Sequence, residues 1–201
     1  AAPSAHVRMR VEHINAAWQV DASRGVLYKT PKGELLLLQE GVHYKNKPEH
    51  LLAVMDKVLT RFVCVDVASH AIAVRFYIGG ESTENALDFL MWCMTQRHDA
   101  QGRAMPLHGV PFLLYNDQGM FKDAASRNFC SAMGIRQQWH EAGNARATGS
   151  VEVAQNIVER GLESRLRYLD PATITMARLN ALGELWMHGY NGAHRHGRHG
   201  M

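Results

Sequence analysis

Long apolar runs are missing from this chain of 201 residues: none approaches the ~20 that a membrane-crossing helix requires, and no signal-peptide pattern opens it. Cysteine is scarce. Cys64, Cys93 and Cys130 lie far apart with no CxxC spacing, which excludes a disulfide framework and a cysteine-based zinc module and fits a reducing cytoplasm. Charge of one sign is also in short supply. A net +3 with 46% hydrophobic residues speaks against a disordered chain, and a pI near 8.9 permits a polyanionic partner without demanding one. What is present is the composition of one globular domain with enough chain to bury a core. The start at AAPS without Met and the basic, His-rich end HRHGRHGM read as a piece cut from a longer protein.

The positive charge is uneven. Residues 1–100 carry 11 Lys and Arg against 11 Asp and Glu, whereas residues 101–201 carry 11 against 8, so the excess lies in the second half. No internal repeat is visible, and low complexity is confined to the last dozen residues.

Hydrophobic periodicity predicts an alternating chain. INAAWQVDA (14–22) reads as a strand, and FVCVDVA (62–68) with AIAVRFYI (71–78) as a hairpin turning at Ser69 and His70. Ser82 or Thr83 can cap a helix reaching about His98, with Leu87, Leu90, Met91 and Met94 on one stripe. VPFLLYN (110–116) has the near-continuous apolar character of a strand buried on both faces. A helix over 122–133 stops at Gly134, and Ile135 to Trp139 form a short strand. Beyond a polar loop at 140–150 come helices from about Val151 to Tyr168 and from Thr173 to His188. Within 30–60, GELLLLQEG can add a strand, and HLLAVMDKVL has Leu51, Met55, Val58 and Leu59 at helical spacing. The order implies an α/β domain with an antiparallel start and parallel crossovers later. Trp18, Trp92, Trp139 and Trp186 are expected as core anchors rather than base-stacking platforms.

Three carboxylates fall where such a fold brings chains together. Asp21 closes the first strand, Asp117 follows PFLLYN, and Glu152 opens the long helix. Strand ends of open α/β sheets are where sites form. At 100° per residue, Glu152, Asn156, Glu159 and Glu163 share one helix face, and Ala154, Ile157, Val158, Gly161 and Leu162 the packed one. Carboxylates without a His or Cys ligand set suit a hard cation, Mg²⁺ or Mn²⁺, and two such ions can drive in-line displacement at a phosphodiester.

WQVD, VDVASHAIAVRFY, YNDQG followed by MGI, and GNARATGSVE leading into a helix resemble, in that order, the catalytic core of retroviral integrases and bacterial D,D,E transposases. The 35 positions from Asp117 to Glu152 are close to that family's interval, and YNGAHRH is similar to its ending. The resemblance implies a ribonuclease H-like fold with a mixed five-stranded sheet flanked by helices. It divides the chain into an N-terminal extension (1–13), a core (14–190) carrying an insertion at 30–60, and a tail (191–201) leading to further sequence. It also implies Asp21, Asp117 and Glu152 as a catalytic triad holding two Mg²⁺ or Mn²⁺ ions. Asp66 lies 51 positions before Asp117 and so imitates the spacing of the retroviral aspartates, but its place in the second strand favours Asp21.

The activity implied is DNA cleavage followed by 3′-hydroxyl strand transfer, by a homo-oligomer on DNA ends, with no membrane partner, at the bacterial nucleoid. An N-terminal helix-turn-helix region outside this chain is implied too. Expected DNA contacts are Asn144 and Arg146 in the polar loop and Gln155, Asn156 and Arg160 on the helix, although Glu159 stands where the family often has a basic residue. A stand-alone nuclease of the same fold, or an inactive DNA-binding or assembly module, are the alternatives.

Overall fold

A computed structural model describes residues 11–29, 35–37, 58–99, 101–116, 120–139, 149–166, 168–170 and 173–193. The elements are β1 (Ala17–Lys29), β2 (Leu35–Leu37), β3 (Val58–Asp66), β4 (Ile72–Ile78), α1 (Thr83–Met94), β5 (Leu113–Asn116), α2 (Ala124–Ala132), β6 (Arg136–Trp139), α3 (Gly149–Val158) and α4 (Met176–Ala193). A π-helical segment, Glu159–Glu163, and a helical turn, Ser164–Leu166, prolong α3. No helix of the described residues is long and apolar enough to cross a membrane.

The sheet follows the expected plan. Its path is β4-β3-β1-β5-β6, with β1–β3 and β3–β4 antiparallel and β1–β5 and β5–β6 parallel. The short β2 adds a sixth strand against the far end of β1, pairing Leu27 with Leu37. This is the mixed five-stranded sheet of a ribonuclease H-like core, enlarged by part of the 30–60 segment.

Side chains alternate along β1, and the alternation sets the two layers. Trp18 and Val20, both buried, share a face with Phe62 and Cys64 of β3, over which α1 packs; the Phe62 and Phe89 rings lie 5.5 Å apart. Gln19, Asp21 and Ser23 share the opposite face with Arg61, Val63 and Val65, and α3 lies there. Helix α4 lies along β4. Its Asn180 pairs through both amide atoms with Phe76 N–H and C=O (2.9 and 3.1 Å), and its Asn191 does the same at Ile72 (2.9 and 2.8 Å). The Met187 sulfur accepts from Val74 N–H between them. The outward backbone groups of an edge strand, a template for unwanted pairing, are thereby occupied.

Helix ends follow the sequence where caps are explicit. Ser82 caps α1 by accepting from Asn85 N–H, and Asp123 caps α2 by accepting from Ser126 N–H at 2.9 Å. Helix α2 stops as expected: Gly134, at φ +71°, donates to Ser131 C=O, and Ile135 N–H reaches Cys130 C=O.

Several local expectations change. Strand β1 starts at Ala17 and runs on to Lys29, so Asp21 lies within the strand rather than closing it, and α4 begins at Met176 and continues to Ala193. Val58 and Leu59, read as the end of a helix, open β3, because their β-branched neighbourhood pairs with Ile78 and Tyr28. Helix α1 ends at Met94, four residues early, where Thr95 turns to extended backbone. Met91 is 44% exposed; the buried stripe is Ala86, Phe89, Leu90 and Cys93, a quarter-turn away. Strand β5 takes only Leu113–Asn116 of the 110–116 run, and β6 starts at Arg136 rather than Ile135. The helix part of HLLAVMDKVL before Val58, the 140–148 loop and the tail from 194 lie outside the described residues.

Candidate active site

Three polar residues on one face of a strand require partners once a helix covers them. In β1 these are Gln19, Asp21 and Ser23, and α3 supplies the partners. Gln19, 2% exposed, accepts at Oε1 from Val151 N–H in the first turn of α3 (3.2 Å). One turn further, Gln155 Nε2 donates to both Asp21 C=O and Asp21 Oδ2 at 3.2 Å. Asp21 and α3 are thus fixed to each other directly. Apolar residues Val151, Ala154 and Val158 lie buried beside these polar links and anchor the same helix.

Glu152 is on the same first turn, exposed, three residues or ~4.5 Å of helix rise before Gln155. The third expected carboxylate, Asp117, lies outside the described residues. Its predecessor Asn116 ends β5 in parallel register with Val20, the residue before Asp21. The described geometry therefore brings together Asp21 and the helix of Glu152, and aims β5 at the same edge.

Behind Asp21 the polar contacts continue inward. Gln155 Oε1 accepts from Arg61 Nε (2.7 Å) and from Ser23 Oγ (3.0 Å), and Ser23 Oγ accepts in turn from Arg61 Nη2 (2.8 Å). Arg61 Nη1 pairs with Glu163 Oε1 at 2.5 Å, with the two side chains 3% and 0% exposed. Half-exposed Glu159 stands 3.7 Å from Arg61 Nη2. Helical periodicity missed this tier. An unbroken α-helix would return Glu163 to within about 20° of Glu152, on the outer face. The π-helical segment changes the phase, and Glu163 turns into the protein. Gly161 sits within that segment because a Cβ there would meet the Trp186 indole at 3.0 Å.

The other expected residues divide. Asn156 and Arg160 are exposed, on the outer side of the helix with Glu152. Asn156 Nδ2 donates to Glu152 C=O at 3.1 Å. Gln155, grouped with the DNA contacts by sequence, is 7% exposed and has its carboxamide turned to Asp21, Ser23 and Arg61; the correction follows from its place on the packed side of α3. Asn144 and Arg146 lie outside the described residues.

Asp66 is committed elsewhere. Its Oδ2 accepts from Asn15 N–H (2.6 Å), and its Oδ1 from Ser69 N–H (2.6 Å) and Ser69 Oγ (2.8 Å), closing the β3–β4 turn. It lies across from Trp18, three residues before Asp21, or ~10 Å along β1.

The donors at the Asp21 edge are carboxylate oxygens, the chemistry that suits Mg²⁺ or Mn²⁺. Among the described residues no group of three or more His, Cys, Asp and Glu side chains comes together. Asp21 and Glu152 supply two carboxylates, and Asp117 is the one residue through which the expected set would be completed. The residues present fit such a cation in donor type.

No protein-family model matches the sequence, and no curated protein matches it. Solved structures do match. A polypeptide of a simian T-cell lymphotropic virus intasome, in complex with PP2A regulatory subunit B56 gamma, aligns over 96% of this chain with 18% identity and a TM-score of 0.62. This chain spans 55% of that one. The HTLV-2 integrase catalytic core domain in complex with magnesium, in its trimeric form, aligns over 91% of this chain and 89% of its own, with 18% identity and a TM-score of 0.57. The catalytic core domain of BIV integrase aligns over 90% and 87%, with 16% identity and a TM-score of 0.53. The fold of this chain is that of a retroviral integrase catalytic core.

Proposed function

We propose that this protein is the catalytic core of an integrase or transposase that cuts a DNA strand and joins the new end to a second DNA. The observation that supports this reading most is the direct link between Asp21 on the central strand and the first turns of α3, which carry Glu152, within an integrase-core fold. In the first step a water oxygen attacks a phosphodiester, the P–O3′ bond breaks, and a 3′-hydroxyl leaves carrying the proton. In the second, that hydroxyl attacks a target phosphodiester: one P–O3′ bond forms and another breaks, with no external energy source.

Asp21 with Asp117 would hold one Mg²⁺ or Mn²⁺ ion and Asp21 with Glu152 the other. When bound, two such ions supply the positive charge that activates the attacking oxygen and stabilises the leaving one. The protein itself contributes placement. Gln19 and Gln155 fix α3 against β1, so the carboxylates are held before substrate arrives. Asn156 and Arg160 on the outer face of the helix, with Asn144 and Arg146, are the proposed phosphate contacts. Likeness to a polypeptide solved within an intasome supports a homo-oligomer on paired DNA ends as the working form. The same reading places the protein with DNA in the bacterial cytoplasm.

The test is a disintegration assay on branched DNA with Mn²⁺. Asp117→Asn and Glu152→Gln are each expected to abolish rejoining while circular dichroism stays unchanged. Rejoining at the parental rate in either variant refutes the triad, and hydrolysis without any joined product would favour a nuclease.

A further inference from the structure

The buried network behind Asp21 does more than fill space. An Arg guanidinium only donates hydrogen bonds, so the Gln155 atom facing Arg61 Nε at 2.7 Å must be the amide oxygen. Ser23 Oγ, already accepting from Arg61 Nη2, donates its own proton to that same oxygen. The amide is therefore held in one orientation. A flip would set NH₂ against the guanidinium and oxygen against both Asp21 oxygens. With the flip excluded, Nε2 can only face Asp21, where it bonds the backbone carbonyl oxygen and Oδ2.

Arg61 is itself held from the far side by Glu163, which the π-helical segment turns inward. A continuous series of contacts thus runs from that segment through Arg61 and Gln155 to the carboxylate of the candidate site.

We propose that Gln155 is a positioning residue for Asp21, its amide locked by the Arg61–Glu163 pair so that the Asp21 carboxylate is held in one rotamer. Its importance for metal binding rests on the function proposed above; the contact itself does not. The alternation of roles is what a fixed ligand needs, because partners behind a metal-binding side chain set its orientation.

The experiment compares the parental protein with Gln155→Met, which keeps length but removes the amide, and Gln155→Glu. Two readouts are taken on each: the Asp21 ¹³Cγ resonance without metal, and Mn²⁺ affinity by titration calorimetry. In Gln155→Met the Asp21 resonance should move and Mn²⁺ binding weaken about tenfold to a hundredfold. Gln155→Glu keeps a partner for Arg61 but sets an acceptor against Asp21. A purely structural role would survive that change; a positioning role predicts a displaced Asp21 resonance in a folded protein, and this arm decides should Gln155→Met not fold. An Asp21 resonance unmoved in the folded variants overturns the proposal. If the resonance moves but the parent binds no Mn²⁺, the positioning contact stands and the metal-site reading falls.

Discussion

Replacing Arg61 by Met takes from the fully buried Glu163 carboxylate the guanidinium that pairs with it at 2.5 Å, and withdraws donors from Gln155 and Ser23 at once. Removing one partner of a buried ion pair costs about 3–5 kcal/mol, because the remaining charge must be desolvated alone or protonated. For a protein of this size each kcal/mol lowers the midpoint of thermal unfolding by ~2–4 °C, so a fall of roughly 6–20 °C is expected. The double variant Arg61→Met/Glu163→Leu removes both charges and fills the same space. It should return to within about 1–2 kcal/mol of the parent, since apolar replacement of a whole buried pair is often neutral. Urea denaturation followed by circular dichroism measures both. Salt should hardly change the effect, because the pair is shielded from solvent, unlike the Arg103–Asp99 pair, whose Arg103 side chain is 59% exposed. An Arg61→Met variant that unfolds within about 1 kcal/mol of the parent, or a double variant no more stable than the single one, would show that the pair is not a desolvated ion pair.

Acid should loosen the start of α2. The Ser126 backbone and hydroxyl hydrogen bonds, with Thr83 beyond them, hold the Asp123 carboxyl down at about 2. Its contribution is therefore complete above the unfolded value near ~4 and is lost as pH falls toward the folded one. Asp123→Asn retains a capping oxygen but does not titrate, so acid unfolding of the variant should lose that part of its pH dependence below about pH 4; an unchanged acid profile would rule the cap out as its source. At the sheet edge, Asn180→Leu strips Phe76 of partners for both backbone groups. A cost of about 1–3 kcal/mol is expected, with faster hydrogen exchange at the Phe76 amide, and an unaltered exchange rate would contradict the edge-capping role.

Most of the sheet can be read from local pattern because its strands carry their own signal. VPFLLYN is nearly all apolar and its second half, Leu113–Asn116, lies inside the sheet between β1 and β6, and FVCVDVA with AIAVRFYI pair as adjacent antiparallel strands. Caps are legible for the same reason: Ser82 and Gly134 act within a few residues of themselves, whereas a helix read from residue 122 passes over the Asp123 cap. Helix faces are less so. The stripe of α1 includes Phe89 and Cys93 rather than Met91 because the sheet, not the helix, decides which side is covered. The pairing of Asn180 and Asn191 with β4 joins residues over a hundred positions apart and leaves no mark on the periodicity of either segment.

At the candidate site the same division appears within a single strand. Gln19, Asp21 and Ser23 alternate with apolar neighbours, and that pattern alone states that three polar groups share one face needing polar company. Which company is not written there. A helical projection from Glu152 places Glu163 in solvent, and it fails because one π-helical turn intervenes, while Gly161 gives the sequence's only local hint by allowing Trp186 against the backbone. The consequence reaches the chemistry. A regular helix would carry Glu163 away from Arg61, and the guanidinium that sets the amide of Gln155 toward Asp21 would keep only half-exposed Glu159, 3.7 Å from its Nη2, as a described anion. The irregularity in the helix and the orientation of the central carboxylate are thus one structural fact, joined by four side chains that no linear spacing connects.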